Sequence, residues 1–383
     1  MGSITISSAV RTNLNSLQAT SSLMSSVQEK LSTGKKVNSA LDNPNSFFTA
    51  KGLENRASDL STLLDDMGQS VQTLKAADKG ITAISDLVDA AKAKANQALQ
   101  SSSQKERKQF ASEYNELLTQ IEDLAKDAGY KGKNLLGGTG NDLSVTFNED
   151  GSSSLSISSV DFTDTTSSTG LNLSDLASGA TGTATLQIHG ASTTTALTAG
   201  QALTTDSDYV VGDVLTITDS TGTELASLEI TASTTVGDFD TFVDSASGVS
   251  GSLTGTTYSF TSDFEVTLSS SGSTPADVSS THATTNGFST DTKIEAALSK
   301  LKTAQDTLRA QASTFGTNLS IVQNRQDFTN DLINTLEEGA GKLTLADTNE
   351  EGANLLALQT QQTLASTSLS LAAQADQNVL RLF

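Results

Sequence analysis

No cysteine and no tryptophan occur among the 383 residues, and proline and histidine occur only twice each. Without thiols the chain forms no disulfide, holds no thiolate-bound metal and carries no cysteine nucleophile. Aromatic residues make up 4% of the chain, too few for stacking platforms or ligand cages built from several rings. No run of eighteen apolar residues is present, so no segment reads as a membrane-spanning helix. The first twenty residues are mixed and polar, with Arg11 their single base and no apolar core, which argues against a cleavable secretion signal. Ile6 stands where the myristoylation pattern after Gly2 requires Ser or Thr.

Positive charge is missing from the middle. Between Lys133 and Lys293 there is no Lys or Arg, while the same stretch holds 19 acidic residues. The whole chain carries 23 bases against 44 acids, a formal charge of −21, so the excess sits almost entirely in the centre and the flanks are close to neutral. A nucleic-acid partner is excluded on this balance, because phosphate contacts need a basic stripe. From Thr139 to Thr290, 62 of 152 residues are Ser or Thr, a different material from the ends.

Within that material, residues alternate with a period of two. Val214, Thr216 and Thr218 stand against Leu215 and Ile217, and Leu225 to Ile230 follow after Asp219-Ser220-Thr221-Gly222, which predicts a β-hairpin. Leu186 to Ile188 and Ser259 to Leu268 are further strand candidates, and Thr235 to Ala246 predicts one short helix.

The flanks step by three and four instead. Val10, Leu14, Leu17, Ser21, Met24, Gln28 and Leu31 form one series; Leu60, Leu64, Met67, Val71, Leu74, Asp78 and Ile81 form a second. Phe110, Tyr114, Leu117, Ile121, Leu124 and Ala128 form a third, and Ile294, Leu298, Leu301, Gln305, Leu308, Ala312, Phe315, Leu319 and Val322 a fourth. This is the spacing of a coiled-coil seam. The last segment places Leu358, Leu369, Val379, Leu380 and Phe383 among Ala, Ser, Thr and Gln. Such a helix is marginal alone, and so is Ser7 to Leu31, so each end is expected to need a partner helix, either the other end or a neighbouring copy.

The predicted fold is mainly α with a β-rich insertion: a long coiled-coil helical rod formed by the N- and C-terminal segments, carrying a β-rich outer domain. The expected division is 1–43 (inner helix), 44–138 (rod helices), 139–290 (acidic Ser/Thr-rich outer insertion), 291–344 (rod helix) and 345–383 (inner helix). Ser101-Ser102-Ser103 reads as a break before a helix starting near Lys105, and Asn134 as the close of the first helical half.

Catalytic signatures are missing. His189 and His282 have no carboxylate or second histidine at ligand spacing, and a structural role is expected of both. Asp206-Ser207-Asp208 followed by Asp213 offers oxygen ligands, yet it lacks the glycine-bearing twelve-residue calcium loop closed by Glu and reads as an ordinary acidic loop. No Gly-x-Ser-x-Gly elbow, phosphate loop, dinucleotide glycine triplet or His-Glu-x-x-His is present. Neither an enzymatic activity nor a metal or other cofactor is expected. Glu106, Arg107 and Lys108 with Glu113 and Glu116 read as solvated helix surface.

Leu31-Ser32-Thr33-Gly34-Lys35-Lys36-Val37-Asn38-Ser39-Ala40, followed by Asp42-Asn43, resembles the amino-terminal signature of bacterial flagellins. Leu14-Asn15-Ser16-Leu17 and Gly132-Lys133-Asn134-Leu135-Leu136 fit the same pattern, while Gln323-Asn324-Arg325 and Ala373 to Leu380 resemble the carboxy-terminal one. The resemblance covers about 1–137 and 292–383. It implies a subunit that polymerises into the extracellular flagellar filament for swimming, exported unfolded and uncleaved. The implied partners are copies of itself, hook-associated junction and cap proteins, a flagellin export chaperone and the flagellar type III export apparatus, without membrane insertion. Val10, Leu14, Leu17, Met24, Leu31, Leu358, Leu369, Val379, Leu380 and Phe383 are then the inner assembly seam. A hook–filament junction protein of the same superfamily is the nearest alternative, and a non-flagellar surface adhesin the next.

Two departures stand out. Asp89-Ala90-Ala91-Lys92-Ala93 lies where many flagellins carry the Arg-x-Arg-Glu-Leu stretch read by the flagellin-sensing Toll-like receptor, which implies weak recognition. Asn43-Pro44-Asn45-Ser46-Phe47 replaces a small-residue run, and Pro44 is expected to stop the first helix. The outer Ser and Thr hydroxyls are, by the same resemblance, candidates for O-glycosylation.

Overall fold

Two very long helices account for most of the helical content. The computed structural model describes residues 8–190, 195–272 and 274–380. Its helices are α1 (Ser8–Thr33), α2 (Pro44–Gln100), α3 (Gln104–Asp127), α4 (Val236–Ser245), α5 (Asp291–Thr344) and α6 (Thr348–Leu380). The strands, β1 (Leu143–Thr146) to β9 (Val278–Ser279), all lie between α3 and α5. The architecture is therefore mainly α at both ends with a β-containing middle.

The helix limits have local causes. α1 ends at Thr33 because Gly34 turns left-handed at φ 68°, a conformation that costs glycine nothing. Pro44 does not stop α1; it is the first residue of α2, where its missing N–H is no loss, and the Asn43 side chain caps the same end by accepting from Ser46 N at 3.1 Å. Ser103 caps α3, its hydroxyl accepting from Glu106 N. Asn134 closes that helix from a distance, its Nδ2 donating to the Ala125 and Lys126 carbonyls at 2.8 and 3.1 Å.

The chain divides into two compact units. The first contains Met1–Gly68, Thr146–Leu155 and Gln323–Phe383. Here the beginning of α2 packs on the end of α5 through Ala57, Leu60, Ile333 and Leu336, flanked by Leu53, Leu63, Leu64 and Leu332. The loop after β1 joins them, with Glu149 paired to Arg56 at 2.6 Å and the Phe147 ring under the Arg325 guanidinium. Met67 of α2 is fully buried.

The second unit contains Gln69–Val145 and Ser156–Val322. In its helical part Val71, Leu74, Ile81, Tyr114, Ile121, Ile294, Leu301, Leu308, Phe315 and Val322 are buried as the periodicity predicts. The predicted seam is off by one residue in places. Ala77 is fully buried and Asp78 exposed, since a carboxylate has no partner among those side chains. On α3 the buried row is Gln104, Arg107, Ala111, Tyr114, Leu118, Ile121 and Ala125, with Phe110, Leu117 and Leu124 half-buried beside it. Leu298 and Leu319 are likewise half-buried, and Ala297 and Ala304 fill the buried positions between. Gly80 is a place where only a small residue fits: a Cβ there would lie 2.7 Å from Ala128 Cβ and 2.8 Å from Leu136 Cδ1. Arg107, read as surface, is 5% exposed, held by Asp291 at 2.6 Å and the Ser101 carbonyl.

The β part of this unit has a three-stranded sheet, β3 (Gly182–Gln187), β7 (Thr257–Ser262) and β6 (Val249–Thr254), and a four-stranded sheet in the order β5 (Glu224–Glu229), β4 (Val214–Asp219), β8 (Val266–Ser270), β9. The predicted hairpin is β4–β5, turning through Gly222 at φ 83°. The predicted strand 259–268 is two strands, interrupted at Asp263–Glu265, because its two halves belong to different sheets. α4 forms as expected, with a capping box between Thr235 and Asp238. Phe239, Tyr258, Phe260, Leu215, Ile217 and Leu268 lie in one shared core.

Candidate functional site

The segment after Gly34 ties α1 to the α5–α6 junction. Lys36 N and Val37 N donate to the Thr344 carbonyl at 2.8 and 3.3 Å, and Ala346 N donates to the Gly34 carbonyl at 3.0 Å. Lys36 Nζ reaches the Lys342 carbonyl at 2.8 Å, a cation at a helix C-terminus, where the dipole favours it. Asp42 braces the loop from within, accepting from Asn38 N and Ser39 N at 2.9 Å each; the Ser39 and Asn38 N–H groups hold its carboxyl below the usual 3.8.

From this clasp α1 and α6 run as a pair. Lys30 and Glu351 form an ion pair at 2.9 Å near the clasp, and Asn13 donates to Ser368 Oγ at 3.4 Å further along. The covered face of α1 is Val10, Asn13, Leu17, Thr20, Met24, Val27 and Leu31, so Val10, Leu17, Met24 and Leu31 lie where expected. The intermediate positions fall one residue earlier than the series predicts: Asn13, Thr20 and Val27 replace Leu14, Ser21 and Gln28. Leu14 is 36% exposed. On α6 the covered row is Leu355, Leu358, Gln362, Ala365, Leu369 and Ala372, which includes Leu358 and Leu369. The side chains of Val379 and Leu380, and the whole of Phe383, lie outside the described residues.

Away from the covered rows, several leucines are open. Leu356, Leu364 and Leu371 on α6 are 67%, 64% and 62% exposed, and Leu23 on α1 is 57% exposed. The sequence series missed this second row because a leucine count does not say which of two faces the single chain covers.

In the second unit, Asp89 and Lys92 both bond the Gln305 side chain, the lysine at 3.2 Å. Ala91 is fully buried, Ala90 half-buried and Ala93 exposed. Of the histidines, His282 is structural, bonding Ala180 O at 2.6 Å and Ser280 Oγ at 2.9 Å. His189 departs from expectation, since its Nδ1 lies 3.6 Å from Asp206; strand β3 ends beside a turn 17 residues on, a distance no ligand-spacing motif covers.

The family model for the bacterial flagellin N-terminal helical region matches residues 4–141, and that for the C-terminal helical region matches 298–383. The chain belongs to the bacterial flagellin family. Flagellin A of Rhizobium meliloti is 28% identical over 423 aligned positions that cover the whole of both chains. Flagellin FljO of Caulobacter vibrioides is 31% identical over 153 residues, 40% of this chain and 56% of its own. Among solved structures, Xanthomonas campestris FlgL covers 75% of this chain and 99% of its own, at 15% identity and a TM-score of 0.34. This flagellin is a structural subunit of the flagellar filament. Its clasp and helix pair lie inside the two matched regions, and most of its β-containing middle lies between them.

Proposed function

We propose that this flagellin polymerises through the outward face of the α1–α6 pair, while the inward face closes the single chain. The observation that carries this reading is the exposed leucine row, Leu356, Leu364 and Leu371. Covering each of these side chains would contribute about 1–2 kcal/mol, and a helix pair this poor in internal apolar contact gains more from neighbours than from itself. The five-part division at 43, 138, 290 and 344 is retained as the functional one, with terminal helices inside and the acidic Ser/Thr-rich part facing solvent outside the cell. Junction and cap proteins, an export chaperone and the type III export apparatus are the proposed partners, and no enzymatic role is assigned. The Asp89–Ala93 segment is proposed to be a weak receptor ligand; Asp89 and Lys92 being engaged by Gln305 supports this.

The test is negative-stain microscopy of seeded elongation. The native chain is expected to give long uniform filaments, and both the Leu356→Gln/Leu364→Gln/Leu371→Gln variant and a chain truncated after Leu343 to give none. Filaments of normal length from the triple variant would overturn the assigned face. A native chain that caps seeds without elongating them would instead mark a junction protein.

A further inference from the structure

The turn after the short 3₁₀ segment Leu203–Thr205 brings three metal-ligating side chains of the β-rich part together. Asp206 is fully buried; its Oδ2 accepts from His189 N at 2.7 Å and its Oδ1 from Asp208 N at 3.1 Å. Each oxygen keeps a second lone pair free. His189 Nδ1 lies 3.1 Å from the Gly190 carbonyl and 3.6 Å from Asp206 Oδ2, and one ligand atom from each of His189, Asp206 and Asp208 lies within 4.8 Å of the other two.

A histidine–aspartate contact accounts for two of these groups and leaves two observations over. Asp208 brings a second, half-buried carboxylate to the same point instead of away from it. Tyr209, the next residue, is 2% exposed, and its hydroxyl has no hydrogen-bond partner among the described residues, which is rare for a buried polar group.

We propose that His189, Asp206 and Asp208 bind one divalent transition-metal ion of the Zn²⁺ class. The imidazole selects such an ion over Ca²⁺ or Mg²⁺, which prefer oxygen alone and, for Ca²⁺, six or more ligands. Three protein ligands leave a fourth tetrahedral position to water. The ion ties the end of β3 to the 203–209 turn, and so acts as a clamp within the outer β part. This inference is independent of the assembly face proposed above.

The experiment is titration of metal-free, full-length monomer with ZnCl₂ and with CaCl₂ by calorimetry at neutral pH. One Zn²⁺ per chain is expected, bound at least tenfold more tightly than Ca²⁺ and weakened at least tenfold by His189→Gln and by Asp208→Asn. Asp213→Asn, an acid outside the cluster, is expected to leave affinity unchanged. Because chain charge attracts any cation, Zn²⁺ binding that both cluster variants retain would overturn the site, as would Ca²⁺ binding equal to Zn²⁺. A second measurement avoids substitution altogether: Zn²⁺ should protect His189 but not His282 from diethyl pyrocarbonate, read by peptide mass, and equal labelling of His189 with and without Zn²⁺ would overturn the proposal.

Discussion

At the scale of the residue, depth of burial decides cost. Leu118 is 1% exposed at the centre of the α3 seam and Leu117 is half-buried beside it. Leu118→Ala is therefore expected to lose about 2–5 kcal/mol in urea unfolding, and Leu117→Ala clearly less; equal losses would move the seam by one residue. Gly80→Ala is expected to destabilise although alanine favours helix, because the added methyl meets Ala128 and Leu136 below 3 Å. Acid acts through residues such as Asp238, whose carboxyl the Thr235 N–H, and then its hydroxyl, hold below 3.8. A folded pKa below the unfolded one gives stability that is full above the unfolded value and is lost as pH falls through the folded value. The melting temperature should thus fall as pH drops below about 4, and Asp238→Asn should lower it at neutral pH while flattening that acid decline.

At the scale of the element, α1 and α6 depend on each other. Their shared face contains Asn13, Thr20, Gln362 and Ala365 among its apolar residues, so the pair buries little, and isolated helices of such composition are marginal. Truncation after Leu343 should therefore remove more helical circular dichroism than the 33 residues of α6 account for, since α1 loses its partner. A loss confined to α6 would show that α1 is stable alone. α3 differs: it is capped at one end by Ser103 and closed at the other by Asn134, and its seam is continuous from Gln104 to Ala125.

At the scale of the whole molecule, charge sets the conditions of assembly. Copies carrying −21 each repel at long range, and salt screens that repulsion over a Debye length of about 10 Å at ~0.1 M. Seeded elongation should quicken as NaCl rises from about 0.02 M to about 0.2 M. A rate that falls instead would mean that attractive ion pairs between copies dominate.

Helical ends, a β-bearing middle, the β4–β5 hairpin and α4 were all legible in the sequence, because periodicity, turn chemistry and capping act over a few neighbouring residues. Buried leucines at seven-residue spacing were legible too. The choice between Leu117 and Leu118, or Leu14 and Asn13, was not. Both members of each pair suit a helix, and only the partner helix determines which one is covered. The His189–Asp206 approach was illegible for a related reason: it is made by the end of one strand meeting a turn, and no local rule links them. Local physics thus decided which elements form, and tertiary packing decided which side chains those elements bury, leave open or bring together.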